Sequence, residues 1–360
     1  MRILALLKYG KKAASTRQRF IQFQPALEDA GIEVDYAPFF DDTHIAGLVA
    51  GRRASVFTAL RSYGRRFWKL LSARQYDAIW VHYELFPYLP GIVERLGRVV
   101  NRPIIVDYDD ATFHSYDSSP HWIVRKVLGR KLAPLLSGAS ACCCGNAYLR
   151  DYIIQFCPYT ILIPTVVDTD RYRIANRPPN KLLVIGWIGS PTTWKYVKPL
   201  LPMLRRLVEQ QGVIFRAVGA GDEAKRDQFP GCELVPWDEA SEISAVQAMD
   251  IGIMPVPEGP FERGKCGYKL IQYMACGLPV VASPVGVNCR IVSSGQNGFL
   301  ATTEAEWSSS LLSLICDPDL RTRMGTNGRR LSVNDYSLAS QARRLVEVFK
   351  SVDRARYSES

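Results

Sequence analysis

Short, wholly apolar runs alternate with longer amphipathic ones along this chain, and the pattern occurs twice. A run with no polar side to show water belongs in a parallel sheet covered by helices on both faces. In the first half, residues 2–7, 32–36, 76–82, 103–107, 140–144 and 161–164 read as strands. Helices are expected over 16–30 and over GNAYLRDYI from Gly145. A polar, proline-rich stretch at 168–181, with Asn176, Pro178, Pro179 and Asn180, reads as a linker. The second series has strands at 182–188, 213–218, 233–235, 251–255 and 279–282, with helices at 195–210, 265–276 and 306–316. A last helix begins near Ser337, a plausible N-cap, with Leu338, Ala342, Leu345, Val346 and Phe349 on its apolar side. The expectation is two α/β, Rossmann-like domains: 1–170, and 181–335, with 336–360 a C-terminal helix packing back towards the first. Open parallel sheets bind ligands at the carboxyl ends of their strands. Two of them facing across a cleft would hold one substrate each. Neither half has G-x-G-x-x-G, which counts against a nicotinamide or flavin enzyme.

With 360 residues and 47% hydrophobic content, the chain can bury two cores. No run of about 18 apolar residues is present, so no transmembrane helix is expected. The best candidate, 78–93, is broken by His82, Glu84 and two prolines. MRILALLKYG is too short for a signal peptide and runs into Lys11 and Lys12, so it reads as a buried strand of a cytoplasmic protein. The nine cysteines include no C-x-x-C pair and read as buried, reduced thiols. The net charge of +10 would suit nucleic acid, an anionic membrane or a phosphorylated substrate. No nucleic-acid motif is seen. Within 51–71, Arg52, Arg53, Arg61, Arg65, Arg66 and Lys69 interleave with Val56, Phe57, Leu60, Phe67, Trp68 and Leu70. That mixture suits either a segment lying on an anionic membrane surface, peripheral on the inner face, or a solvated helix.

The most informative segment is 259–288, GPFERGKCGYKLIQYMACGLPVVASPVGVN. On a helix starting near Lys265, Lys265, Lys269 and Gln272 share one face, while Tyr268, Ile271, Met274 and Ala275 face the sheet. Gly264 and Gly267 allow close backbone approach. A helix N-terminus with two lysines can hold a diphosphate; alternatively it is an ordinary surface helix with solvated lysines.

This segment resembles the donor-binding region of the retaining GT-B glycosyltransferases, family 4-like and group 1, in the cell-envelope polysaccharide branch. The resemblance extends over most of the chain. IGWIGSPTTWKYV from Ile185 looks like that branch's first strand and loop of the second domain, and IPTVVDTDRY from Ile163 is similar to its interdomain segment. CGNAYLRDY from Cys144 looks like the preceding helix, and YMACGLPVVAS from Tyr273 is the most specific match. The resemblance implies a GT-B fold, with a nucleotide-sugar as substrate and no further cofactor. It places the donor at Gly189, Ser190, Lys195, Lys265, Cys266, Gly267, Lys269 and Gln272. The family's two glutamates, which contact the donor sugar and the ribose, fall on Gly264 and Gln272 here, so both carboxylates are absent. Lys265 and Lys269 fit a lysine pattern of the branch and would take the diphosphate. Trp237 would stack on the base or fill a core.

In the first half, Ser15, Arg17 and Arg19 form an S-x-R-x-R run at a strand–helix junction, suited to clamping phosphate or merely to solvating the helix end. Asp109 falls where many relatives carry a histidine facing the reacting sugar. Asp109 and Asp110 would take or hold the acceptor hydroxyl's proton, or else satisfy loop amides. His114 is a conceivable polar partner, and His82 and Glu84 end a strand nearby. Asp107–Tyr108–Asp109 spells the D-x-D of metal-dependent GT-A transferases. The donor signature lies in the other half, however, so no metal site is expected.

The implied activity is transfer of a sugar, with retention of anomeric configuration, onto a saccharide or lipid-linked acceptor. Lys269 would assist departure of the diphosphate. Two other readings stay open: a silent sugar-nucleotide-binding partner subunit, motivated by the absent glutamates, and an epimerase of the same fold. Glu258 and Glu262 are the only second-half carboxylates near the motif that an epimerase could use.

Overall fold

A computed structural model describes residues 1–42, 56–176, 178 and 180–358. The chain forms two compact units. One comprises Met1–Thr165, Gly264–Cys266 and Gln341–Ser360; the other comprises Val166–Arg263 and Gly267–Ser340.

The first unit is a six-stranded parallel sheet in the order β2-β1-β3-β4-β5-β6. Its strands are β1 (Arg2–Tyr9), β2 (Glu33–Phe40), β3 (Ala78–His82), β4 (Ile104–Tyr108), β5 (Ala141–Cys144) and β6 (Thr160–Leu162). Residues of β3, β4 and β5 are almost wholly buried, which is why they read as apolar runs, with His82 and Asp107 only towards the carboxyl ends. Helices α1 (Ala14–Arg19) and α2 (Gln24–Asp29) replace the single helix expected over 16–30. Pro25 lacks the N–H needed to continue the ladder, and a single 3₁₀ turn, Ile21–Phe23, joins the two. The basic segment forms α3 (Val56–Leu71). Its expected beginning at 51–55, with Arg52 and Arg53, lies outside the described residues. Next come α4 (Gly91–Glu94), α5 (Leu96–Val99), α6 (His114–Asp117), α7 (Trp122–Leu128), α8 (Ala133–Leu136) and α9 (Ala147–Ile153).

The second unit is another six-stranded parallel sheet, in the order β12-β11-β10-β7-β8-β9. Its strands are β7 (Val184–Ile188), β8 (Ile214–Val218), β9 (Cys232–Val235), β10 (Ile251–Met254), β11 (Val280–Ala282) and β12 (Gly298–Leu300). Its helices include α10 (Leu201–Gln211), α11 (Glu242–Gln247), α12 (Pro260–Arg263), α13 (Tyr268–Ala275), α14 (Asn288–Ile291), α15 (Glu304–Cys316) and α16 (Pro318–Asp335). The helix expected over 195–210 begins only at Leu201, after two 3₁₀ turns that start with Pro191 and include Pro199.

The last helix is α17 (Leu338–Ser358). Ser337 caps it, its Oγ accepting the Ser340 amide at 3.1 Å. Ala342, Leu345 and Phe349 are buried. Phe349 meets the indole of Trp80 edge-on in the first unit, with ring centroids 5.1 Å apart. All nine cysteines are free; seven are buried, whereas Cys289 and Cys316 are exposed, contrary to the expectation of uniformly buried thiols. No described helix is long and apolar enough to cross a membrane.

Candidate functional site

At the carboxyl edge of the first sheet, Asp109 and Asp110 follow β4 and divide the work. Asp109 turns inward and is 7% exposed. The Tyr83 phenol donates to its Oδ1, and His82 Nε2 lies 3.4 Å from the same oxygen. Burial opposes ionisation of Asp109, but the His82 and Tyr83 hydrogen bonds and the nearby Arg19 charge outweigh it, holding the carboxyl below the usual range. Burial and the Asp109 charge push the Tyr83 phenol far above its ordinary value. Asp110 is the more accessible carboxylate. Lys265 Nζ lies 3.8 Å from its Oδ1, with the two side chains 21% and 34% exposed.

Lys265 reaches Asp110 because Gly264–Cys266 packs within the first unit. Asn146 holds the segment in place: its Nδ2 donates to the carbonyls of Gly264 at 2.8 Å and Lys265 at 3.1 Å, while its Oδ1 accepts the Leu149 amide and caps α9. The Cys266 thiol donates to the Asp109 carbonyl at 3.0 Å, and burial raises its pKa. A side chain on Gly264 would collide with Ala111, its Cβ falling 2.4 Å from that of Ala111. The residue that replaces the family's first glutamate therefore sits where only glycine fits.

The structure corrects the placement of Lys265. It was expected to share a helical face with Lys269 and Gln272, but α13 starts at Tyr268 and Lys265 precedes it. Gly267, at φ +66°, makes the turn between them.

Other first-half candidates turn inward or serve the loops. Arg19 is 1% exposed and grips Asp107 with two bonds, of 2.8 and 3.1 Å, while donating to the Ile163 carbonyl at 2.7 Å. Arg17 donates to the carbonyls of Lys11 and Lys12 and so shapes the loop before α1, on which Ser15 also lies. Glu84 is buried between Lys8 at 2.7 Å and Lys131 at 3.2 Å, and takes the Tyr116 hydroxyl. Burial disfavours both charges of the Lys8–Glu84 pair, yet their attraction keeps the Glu84 pKa low and the Lys8 pKa high. His114 lies 2.8 Å from both Asp117 and the Tyr148 hydroxyl.

In the second unit, β7 runs into Gly189 and Ser190. The Gly189 amide donates to Val218 at 3.0 Å, and a Cβ on Gly189 would strike the Trp187 ring at 2.3 Å. Lys269, on the first turn of α13, sets its Nζ 5.1 Å from the centroid of that same Trp187 ring. Trp187 thus brings Lys269 and the Gly189–Ser190 loop together. Lys195 is exposed and rests its Nζ 5.2 Å over Tyr196. At the neighbouring strand ends, Gly219 is in the left-handed region at φ +77°; a Cβ there would meet the Gly189 carbonyl and the Trp237 Cβ. Trp237, 36% exposed, follows β9.

Gln272 is buried, and its amide is spent within the protein, donating to Glu242 Oε1 at 2.7 Å and to the Tyr172 oxygen at 2.9 Å. Tyr172 donates to the same Oε1, and Trp237 Nε1 donates to Oε2 at 2.6 Å. A half-buried carboxylate from α11 therefore stands beside the position where the family's second glutamate is missing. Nothing local in the sequence marked Glu242, whose partners come from residues 172, 237 and 272. Asn146 did carry a signal, a strand followed by an N-cap residue. Glu258 pairs with Arg263, and Glu262 accepts the Tyr196 hydroxyl at 2.7 Å. Among the described residues, no group of three or more His, Cys, Asp or Glu is arranged to hold a metal ion.

Two doubly wound α/β units with a glycine turn and lysine-bearing helix in the second define a GT-B-type protein. Sucrose-phosphate synthase from Thermosynechococcus elongatus superposes with a TM-score of 0.75 at 16% identity, covering 99% of this chain and 100% of that one. HepE from Anabaena, solved with UDP-glucose, superposes at 0.74 and 17% identity, covering 98% and 100%. Residues 180–317 match the family Glycosyl transferases group 1. Alpha-maltose-1-phosphate synthase of Mycolicibacterium smegmatis is 25% identical over 201 residues, which are 49% of each chain. The chain spans about half the length of the named relatives it matches first.

Proposed function

We propose that this chain is a retaining glycosyltransferase that moves a sugar from a nucleotide-sugar to a saccharide or lipid-linked acceptor in cell-envelope polysaccharide or glycolipid synthesis. The observation that carries this reading is Lys269 set against the Gly189–Ser190 turn within the group 1 segment. The leaving group is a nucleoside diphosphate, and negative charge builds on its departing oxygen as the glycosidic bond breaks. Lys269, at the positive N-terminal end of α13, stabilises that charge. Lys195 is the outlying cation of the same unit, while Lys265 and Arg17 belong to the first unit. The chemistry proceeds without a metal, because the cations already neutralise the diphosphate. Asp110 orients the acceptor hydroxyl, and Asp109 braces the loop that carries it.

HepE was solved with UDP-glucose, so uridine diphosphate sugars head the donor panel. The test is consumption of each nucleotide-sugar with saccharide and lipid-linked acceptors, with and without EDTA. One donor should be consumed, with chelator making no difference and the anomeric configuration kept in the product. Loss of activity with EDTA would overturn the metal-independent mechanism. Gly264 and Gln272, in place of the family's glutamates, favour a second reading, a silent binding partner. Donors that bind tightly yet are consumed with no acceptor would establish it.

Glu242 takes over the missing ribose carboxylate in this reading, with Trp237 as the platform for the base. A hydrogen bond to a charged group contributes about 1.5–3 kcal/mol. Glu242→Gln should therefore raise the donor KM about tenfold or more with little change in kcat. Calorimetry with the nucleoside diphosphate separates this from a structural role, which would lower the melting temperature and leave the affinity of the folded protein alone.

A further inference from the structure

The outward side of α3 is unusual for a helix that covers a sheet. Phe57, Leu60, Phe67, Trp68 and Leu71 are 74, 63, 42, 71 and 48% exposed. At about 100° per residue they fall in one arc about 100° wide, with Gly64 in its middle. Arg61, Arg65 and Lys69, four residues apart, form a row along one border of that arc. The inner side is already committed. Ser62, Arg66 and Leu70 are buried, and the Arg66 guanidinium donates to the carbonyls of Leu7 at 2.5 Å and Ala37 at 3.2 Å. The Arg65 guanidinium reaches the carbonyls of Pro38 and Phe39 from the edge. These bonds fix the rotation of α3, so its aromatic arc faces outward.

The apolar arc continues onto α5. A hollow of about 240 Å³ lies between the two helices, lined by Phe67, Leu70, Leu71, Leu96 and Val99, with Arg74 at its side. Val99 is 60% exposed, and Arg95 and Arg98 flank it on the surface. No Asp or Glu occurs from residue 56 to 75. Between 91 and 100 there is only Glu94, buried against Lys131 at 2.5 Å. The connections β2 to β3, β3 to β4 and β4 to β5 all run the same way along the sheet. Right-handed crossovers therefore put α3, α5 and α7 on one side of it. Helix α7 repeats the chemistry: it has no buried residue and exposes Trp122, Ile123 and Val127 beside Arg125 and Lys126.

A protein partner would have to bury the cationic heads or supply matching acids. A bilayer interface requires neither, because Arg and Lys keep their charges among the headgroups while the aromatic rings enter below. Asp41, 45% exposed, pairs with Arg65 at 3.7 Å at the edge, and the basic excess left on α3 and α5 selects an anionic surface.

We propose that this face of the first unit docks on an anionic bilayer, with α3 in the plane of the interface. Phe57, Leu60 and Trp68 insert, and Arg61 and Lys69 lie among the headgroups. The proposal concerns a surface apart from the donor residues and stands whether or not the donor reading does.

The test is flotation with phosphatidylcholine vesicles, alone and with about one-third phosphatidylglycerol, together with analytical sedimentation. The protein should float with the anionic vesicles only, and less so as salt rises. Arg61→Ala with Lys69→Ala should weaken binding about twenty-fivefold, since each basic residue near such a surface changes the partition by about fivefold. Leu60→Ser with Trp68→Ser should weaken it about tenfold or more. All four side chains project outward, so circular dichroism, melting and donor consumption in vesicle-free buffer should match the parent chain. Absence of binding to anionic vesicles, or parent-like binding by both double variants, would overturn the proposal. So would a solution dimer that Leu60→Ser with Trp68→Ser converts to monomer, because a second copy would then be what covers the face.

Discussion

Lys269→Ala should lower kcat for donor consumption by about two to three orders of magnitude while the protein melts much as before. Lys269 is only half-buried, so truncating it leaves no core cavity. Its ammonium is held 5.1 Å from the centre of the Trp187 ring, and Trp187 is 1% exposed. The cation is thus preorganised beside the Gly189 turn and needs little rearrangement when charge develops on the leaving oxygen. The charge on that oxygen grows as the bond breaks, so affinity for the nucleoside diphosphate should fall less than kcat does. Lys269→Arg should not restore the rate, because a planar guanidinium on a longer arm places its charge differently against the same indole. Single-turnover donor cleavage and calorimetry on the same samples give both quantities. A kcat within about threefold of the parent chain would remove Lys269 from the leaving-group role and return that role to Lys195.

Which of these features were legible in the sequence follows from how local their causes are. Strands β3, β4 and β5 were visible because both faces are buried and their polar residues, His82 and Asp107, come only towards the carboxyl ends. Helix beginnings were misplaced wherever proline or a left-handed glycine set them: Pro25, Pro199 and Gly267 each shifted a boundary. The shift at Gly267 carried most weight, since it moved Lys265 off the helix and onto Asp110 in the first unit. Helix α16 went unnoticed for a different reason. It packs partly through glycines, which leave no apolar stripe to read: a Cβ on Gly325 would fall 2.0 Å from the Gly277 carbonyl, and one on Gly328 would crowd Met274. Trp237 and Gln272 were each singled out, but Glu242 joins them only when α11, α13 and the end of β9 are folded together. Spacing along the chain holds no trace of that carboxylate.

The S-x-R-x-R run shows the same limit. Its two arginines are two residues apart, about 200° around the axis of α1, and Arg19 enters the core while Arg17 stays at the loop. Asp107→Ala should therefore destabilise the first unit by about 3–5 kcal/mol, because it leaves a buried guanidinium without its counter-charge. Arg19 cannot escape by giving up its proton at neutral pH. Burial works against its charge, but the Asp107 carboxylate prevails and holds the Arg19 pKa above its ordinary value. The double variant Arg19→Met with Asp107→Leu removes both charges and should recover most of the loss, as apolar replacements of buried ion pairs commonly do. Urea unfolding of the three proteins, followed by the near-ultraviolet signal of Trp80 and its neighbours, gives the comparison. A phosphate clamp at Arg19, one of the two arginines of that run, makes the opposite forecast: a stable Asp107→Ala protein, and a double variant that folds but no longer turns over substrate. If the double variant is stable and catalytically competent, Arg19 is part of the scaffold that sets Asp109 and Asp110 at the edge of β4. Cationic contact with the donor phosphates then falls to Lys269.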